Sequence, residues 1–247
     1  MAARERRYGR RGRGGVRFLL IVAVLCVAAL LIKSRVFTLK EIVVRGNEAY
    51  SDAEIAALSG LILGEDTLKI EKSRIKGNFS RNHYVELIEM DILYPDRVLL
   101  TVRERQPRAA VNCAGVILVI DAEGVILERM ASMPAGDLIT VSMNVSLSAQ
   151  GRSIKSTKSG ELEAMKLILA GLDAQGMTGL VSEINVRDRF NLYMVSNTGV
   201  QIILGEKDDL DDKLVLARLV LEKLTEEGVM SGVLDVSTGK NAVYADR

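Results

Sequence analysis

His83 is the only histidine in this 247-residue chain. A hydrolytic triad needs a base, a nucleophile and an orienting acid in one place, and a single imidazole in a strand-entry turn is read as a hydrogen-bonded surface residue instead. No HExxH pair, P-loop or dinucleotide glycine fingerprint occurs, and the Gly12-Arg13-Gly14-Gly15 stretch lies in a basic tail with no strand before it. Asp121 and Glu123 have the types for general acid/base work, but Asp-Ala-Glu-Gly is turn chemistry, and that reading is preferred. A glycosidase built on two acids stays open at this stage, because its test is a separation that sequence does not give. Asp208, Asp209, Asp211 and Asp212 suggest calcium, yet they lack the spacing and the glycine of an EF-hand, and acids at a helix start complement its dipole. Cys26 and Cys113 are too few for a disulfide framework. The chain is thus read as a non-enzyme, with no catalytic residue, metal site or cofactor assigned.

The composition, 48% hydrophobic and 26% charged, is that of a globular chain. Its net charge of +1 is unevenly spread: residues 1–17 hold seven Arg against one Glu, a surplus of +6, so the remainder carries −5. An uncharged apolar run, residues 18–32, follows that tail. As a helix it measures about 22 Å, short of the roughly 30 Å hydrocarbon core. Arg17, Lys33 and Arg35 can snorkel, and Val36 and Phe37 extend the apolar length, so one transmembrane helix over 18–36 is expected. A cleaved signal peptide is the rival, but Leu30, Leu31 and Ile32 carry the run past the small-x-small site at 26–28. Arginine excess before the run places residues 1–17 in the cytoplasm and the rest outside. Nucleic-acid or anionic-lipid binding is the lesser reading of the same tail.

The next elements come quickly. LKEIVVRG alternates and is rich in β-branched residues; Gly46-Asn47 turns the chain. Ser51 and Glu54 then form a capping box, with Tyr50 and Ile55 as a hydrophobic staple. Gly60 stops that helix, and a second short one has Ile70, Ile75 and Phe79 as apolar anchors. YVELIEMDIL and DRVLLTVRER read as strands about a Tyr94-Pro95-Asp96 turn, with Val98, Leu100 and Val102 on one face. Strand, helix, helix, strand, strand makes a small α+β layer.

Downstream, residues 108–130 form strands around two turns, with Gly124 suited to a left-handed position in the Asp121–Gly124 hairpin. GRSIKSTKSG reads as a loop, and ELEAMKLILAGL as a helix with Leu162, Met165, Leu169 and Leu172 on one stripe. Three strand candidates follow, VSEINVRD, FNLYMVS and GVQIILG. A helix then carries Leu210, Leu214, Ala217, Leu221 and Leu224 toward a sheet, and the chain closes with VLDVS, a turn and AVYADR.

The combination of an anchor, LKEIVVRGN, S-x-A-E-I and YPDRVLLTVRERQP resembles the bacterial FtsQ/DivIB division proteins, whose first extracytoplasmic domain is a POTRA domain. The resemblance implies an α+β chain in four parts: a cytoplasmic basic tail at 1–17, a transmembrane helix at 18–36, a POTRA-like β-α-α-β-β domain at 37–106, and a β-rich domain with two packed helices at 107–247. It also implies a scaffold of the septal machinery that joins single-span partners of the FtsB/DivIC and FtsL type and helps to control peptidoglycan synthesis, with no nucleic acid or small-molecule substrate. On that resemblance a partner strand adds beside the last hairpin, at Val236, Ser237, Ala242, Val243 and Tyr244, with Arg187 and Arg189 nearby for an acidic contact. For Tyr244, half-buried strand packing is the equal alternative. The runner-up function is a POTRA-bearing polypeptide transport module, which would normally carry several POTRA repeats or a membrane barrel.

Overall fold

The structure, a computed structural model, describes residues 18–27, 36–134, 136 and 138–246. Residues 18–27 are helical, and among the described residues no helix is long and apolar enough to cross a membrane. The rest of the expected span, 28–35, and the basic tail lie outside the described residues. The chain divides into two compact units, one holding the described residues up to Phe79 with Leu87–Arg103, the other Ser80–Glu86 with Glu104 onward.

The first unit follows the order read from sequence. Strand β1 (Glu41–Arg45) leads into α1 (Asp52–Ser59) and α2 (Lys72–Phe79), and then into β2 (Val85–Leu93) and β3 (Arg97–Glu104). The sheet order is β1-β3-β2, with β1 parallel to β3. Helix α1 starts at Ser51 because its Oγ accepts the Glu54 amide at 3.3 Å while the Glu54 carboxylate accepts the Ser51 amide at 2.8 Å. That bonding to Ser51 holds the Glu54 carboxyl below the usual glutamate range. It stops at Gly60, whose φ of 69° an L side chain rarely adopts and whose added Cβ would lie 2.6 Å from the Asn78 amide. Ile55, Ile70, Ile75, Phe79, Val98, Leu100 and Val102 are all buried, so the apolar anchors expected for both helices and the inward face of β3 form one core.

The second unit is a nine-stranded sheet of order β14-β13-β12-β11-β10-β7-β4-β5-β6. Its strands are β4 (Ala109–Cys113), β5 (Val116–Ile120), β6 (Ile126–Met130), β7 (Ile139–Ser142), β10 (Val181–Asn185), β11 (Leu192–Ser196), β12 (Gln201–Gly205), β13 (Val233–Asp235) and β14 (Val243–Ala245). A two-stranded ribbon, β8 (Val145–Ser146) with β9 (Lys155–Ser156), stands apart from it. Helix α3 (Glu161–Ala174) links strands on the way from β7 to its parallel neighbour β10, and α4 (Leu210–Glu226) makes the crossover from β12 to its parallel neighbour β13. Both helices share one cluster with Ile184, Leu192, Met194, Ile202 and Leu204 of the sheet. Leu210, Leu214, Ala217, Leu221 and Leu224 are all buried, which is the stripe expected of α4. On α3 the stripe differs: Ile168 and Ala164 are buried with Met165, Leu169 and Leu172, while Leu162 is only half-buried at its margin.

Three features were not read from sequence. Strand β7 lies inside the sheet, parallel to β4 and β10. The polar stretch 151–160 is no plain loop, because Ile154 is buried and β9 pairs with β8. The buried Glu161 ties α3 to that ribbon: its carboxylate accepts the Asn144 amide at 2.9 Å, the Asn144 side chain at 2.5 Å and the Ser156 hydroxyl at 2.6 Å.

The two edges of the large sheet are treated differently. Beside β6, the Ile126 amide donates to the Arg152 carbonyl at 3.0 Å, Gly151 donates to Ile126 at 2.7 Å and Ile154 to Gly124 at 2.7 Å, so the 150–154 segment occupies the Ile126 end of that edge. Beside β14 the described residues supply no further strand.

Candidate partner-binding edge and comparisons

The Asp121 Oδ1 accepts the amides of Glu123 at 3.0 Å and Val125 at 2.7 Å, which is the turn role expected of it, and Gly124 has a φ of 77°. Its other oxygen meets the Arg105 guanidinium at 2.5 Å, and Arg105 also reaches Glu86 at 2.8 Å. That ion pair is mostly buried and joins residues 16 apart, which no local motif announces. His83 packs against bare backbone at Gly151, where a Cβ would stand 2.6 Å from its Nδ1. Among the described residues no three His, Cys, Asp or Glu side chains are grouped as a metal would need.

The last hairpin is laid out by its alternation. Leu234 and Val236 are fully buried, so the Val236 side chain is part of the core and presents nothing outward. Its amide donates to Ile203 at 3.0 Å, extending the β12–β13 pairing by a residue. Ser237 turns away under the Asp235 carboxylate, which accepts its amide at 2.9 Å, and seats against Gly205, where a Cβ would come within 2.9 Å of its own. Ala242 and Tyr244 are half-buried against the core, whereas Val243 is 64% exposed. The Tyr244 hydroxyl donates to the Ser231 carbonyl at 2.7 Å, and burial, followed by the nearby Asp246 carboxylate, pushes its phenol above the ordinary value. Tyr244 fits because residue 232 is glycine: a Cβ there would lie 2.5 Å from its hydroxyl oxygen.

Arg187 and Arg189 are both exposed in the turn between β10 and β11. Asp188 builds that turn, its carboxylate accepting the Phe190 amide at 3.0 Å and its carbonyl accepting the Asn191 amide at 3.1 Å. Arg189 stacks on Phe190, its guanidinium carbon 4.4 Å from the ring centre. Phe190 borders two adjoining depressions, one lined by Arg189, Glu163 and Lys207, the other by Lys213, Ser237 and Thr238. The structure therefore gathers Arg189 and Ser237 around Phe190, and Val236, Ala242, Val243 and Tyr244 along the β13–β14 hairpin. Arg187 leaves the same turn without lining either depression. Phe190 was not singled out from sequence, although an aromatic ring beside Arg189 in a turn is the signal that would have found it.

A β-α-α-β-β unit with its helices between β1 and β2, preceding a helix-backed mixed sheet with one open edge, defines a POTRA-bearing protein of two units. The profile described as "POTRA domain, FtsQ-type" matches residues 37–105. Among curated proteins the chain is similar to "Cell division protein FtsQ" of Syntrophotalea carbinolica, 27% identical over 199 residues, which is 79% of this chain and 69% of that protein. It is similar also to "Cell division protein FtsQ" of Anaeromyxobacter sp., 27% identical over 82% of this chain and 68% of that protein. To "Cell division protein DivIB" of Clostridium tetani it is 22% identical over 91% of this chain and 84% of that protein. The chain thus carries an FtsQ-type POTRA domain and is similar over most of its length to cell-division proteins named FtsQ and DivIB.

Proposed function

We propose that this chain is a non-catalytic, membrane-anchored scaffold of the bacterial division machinery. In this reading residues 1–17 are cytoplasmic, 18–36 span the membrane once, and the POTRA domain (37–106) and the β domain (107–247) stand outside at the septum. The scaffold joins single-span proteins of the FtsB/DivIC and FtsL type and so helps to control septal peptidoglycan synthesis. Similarity to these relatives supports the division role, since they are cell-division proteins by name.

The observation that carries the partner contact is the unequal treatment of the two sheet edges. Strand β6 is bonded at its Ile126 end to its own chain, while β14 offers outward backbone groups and the exposed Val243 to an added strand. Backbone pairing would give affinity, and side chains at Ser237, Ala242, Val243 and Tyr244 would select the sequence. Val236 serves from inside, holding β13 in place. Arg187 and Arg189 supply cationic charge for an acidic segment of the partner, with Phe190 as the apolar surface beside it.

The test is co-purification from detergent-solubilised native membranes, comparing the intact chain with Val243→Pro and Arg189→Glu. Proline at 243 removes the amide that faces Asp235 of β13 and fixes φ, so it unseats β14, the strand a partner would join. Small single-span proteins that accompany the intact chain and are lost with both variants meet the expectation. Their equal recovery with Val243→Pro, or their absence from the intact chain, defeats it.

A further inference from the structure

The first unit exposes apolar side chains at the pole where the chain enters it. Three segments meet there. The Thr67 amide donates to the Phe37 carbonyl at 2.9 Å, the Thr67 hydroxyl donates to the Pro95 carbonyl at 2.7 Å, and the rings of Phe37 and Tyr94 meet edge-on with centres 6.3 Å apart. The Gly64 amide closes the set by donating to the Leu39 carbonyl at 2.8 Å. Around this junction Val36, Ile62, Leu63, Leu68, Leu93 and Tyr94 are each more than a third exposed. Single exposed apolar residues need no account, but six from three converging segments make a patch.

The charges around the patch are arranged to leave it approachable by a lipid surface. Glu65 is held by Arg74 at 3.1 Å, Asp66 by Lys69 at 4.0 Å and Asp96 by Lys40 at 2.9 Å, so these three carboxylates carry basic partners. The side chains themselves suit an interface: tyrosine places an apolar ring and a polar tip at headgroup level, and leucine reaches below it.

The tether decides what covers it. Val36 follows Ile32, the last residue of the uncharged run, by four Cα steps, which span at most about 15 Å at ~3.8 Å each. With the run in the bilayer, the patch is held beside the headgroups without recruitment, whereas a protein partner would have to be brought there. We propose that this pole of the first unit is a foot seated in the membrane interface, with Tyr94, Leu68 and Leu63 entering the boundary between headgroups and acyl chains. The proposal rests on the reading of 18–36 as a span.

The chain contains no tryptophan, so a single introduced one reports its own depth. The full chain would be reconstituted into phosphatidylcholine/phosphatidylglycerol vesicles as Tyr94→Trp, Leu68→Trp and, for comparison, Ile88→Trp. Ile88 is equally apolar and exposed, and it lies five residues back along β2, about 17 Å from Leu93 at ~3.3 Å per residue. Acyl chains brominated near the headgroup end should quench Trp at 94 and at 68 about two-fold, since interfacial groups sit roughly 5–10 Å into that boundary, and should leave Trp at 88 unchanged. Iodide in the water should show the reverse order. Alkaline extraction of the same vesicles separates the two readings: a chain that washes off defeats the span and the foot together. A retained chain with Trp at 94 and 68 as open to iodide as Trp at 88 defeats the foot alone, and so does equal bromine quenching at all three sites, which would indicate unspecific adhesion.

Discussion

Gly232→Ala is the substitution that most directly tests how the open edge is held. The residue stands at a φ of 125°, and its carbonyl accepts the Gln201 amide at 3.0 Å, so the backbone is fixed by β12 and cannot relax alone. A non-glycine residue forced into that region costs about 1–3 kcal/mol, and this part should appear in global unfolding. The second part is steric. The new Cβ would lie 2.5 Å from the Tyr244 hydroxyl oxygen, 2.6 Å from its ring and 2.8 Å from the Ala245 carbonyl, against ordinary contacts of roughly 3.5–4.0 Å. About 1 Å of movement is needed, and β14 is the element that can give, because three register pairs with β13 are what hold it. Overpacking of this kind costs about 2 kcal/mol, or roughly 30-fold in local opening. Hydrogen exchange followed by mass spectrometry should show the peptide over 243–245 opening roughly 30-fold more than global unfolding explains, while β11 and β12 follow the global value. Adding Tyr244→Ala to Gly232→Ala should change little, since the ring is already displaced, whereas the same change in the parent chain should loosen β14. Parent-like protection of 243–245 in the glycine variant would refute the steric argument.

Three further outcomes follow from the packing and charge. Gly171→Ala would place a Cβ 2.3 Å from Leu214 where α3 meets α4, and should lower stability by about 1–3 kcal/mol in urea, with Leu214→Ala costing less in that chain than in the parent. Arg105→Ala leaves the Asp121 carboxylate, only 8% exposed, without its cation and should cost about 3 kcal/mol, whereas Lys207→Ala, whose pair with Glu163 is exposed, should stay within about 1 kcal/mol by the same assay. The phenol of Tyr244 is pushed up from 10.0, so the folded hairpin favours its neutral form; that contribution is complete below 10.0 and disappears as pH rises through the folded value. Exchange at β14 should therefore accelerate selectively above pH 10, and Tyr244→Phe should abolish that acceleration.

What could be read in the sequence was local. Ser51 with Glu54 fixes a helix start within four residues, and Val98, Leu100 and Val102 fix the face of β3 within five. The α4 stripe was equally visible because it repeats over four turns. Even the inward turn of Val236 follows from the period of two that begins at Leu234. Strand β7 escaped because only Ile139 and Val141 point inward, and two apolar residues set no period. The Glu161 anchor and the Arg105–Asp121 pair each join residues 16 or more apart, so nothing local announces them. That β14 is an edge depends on strand order, which the crossover through α4 decides and a strand's own residues do not state.

The occupied end of the β6 edge bears on growth. A sheet able to add neighbours at both sides is a monomer for a filament, and each addition exposes the next template. Here one end of β6 is already occupied, and on the proposed reading β14 is the edge that takes a strand. Two copies meeting through β14 would make a closed pair whose outer margins are both β6, each bonded at Ile126 to residues 151 and 152. On the proposed reading, strand addition at β14 is therefore biased toward termination: a guest there leaves as the outer margin a strand already occupied at one end.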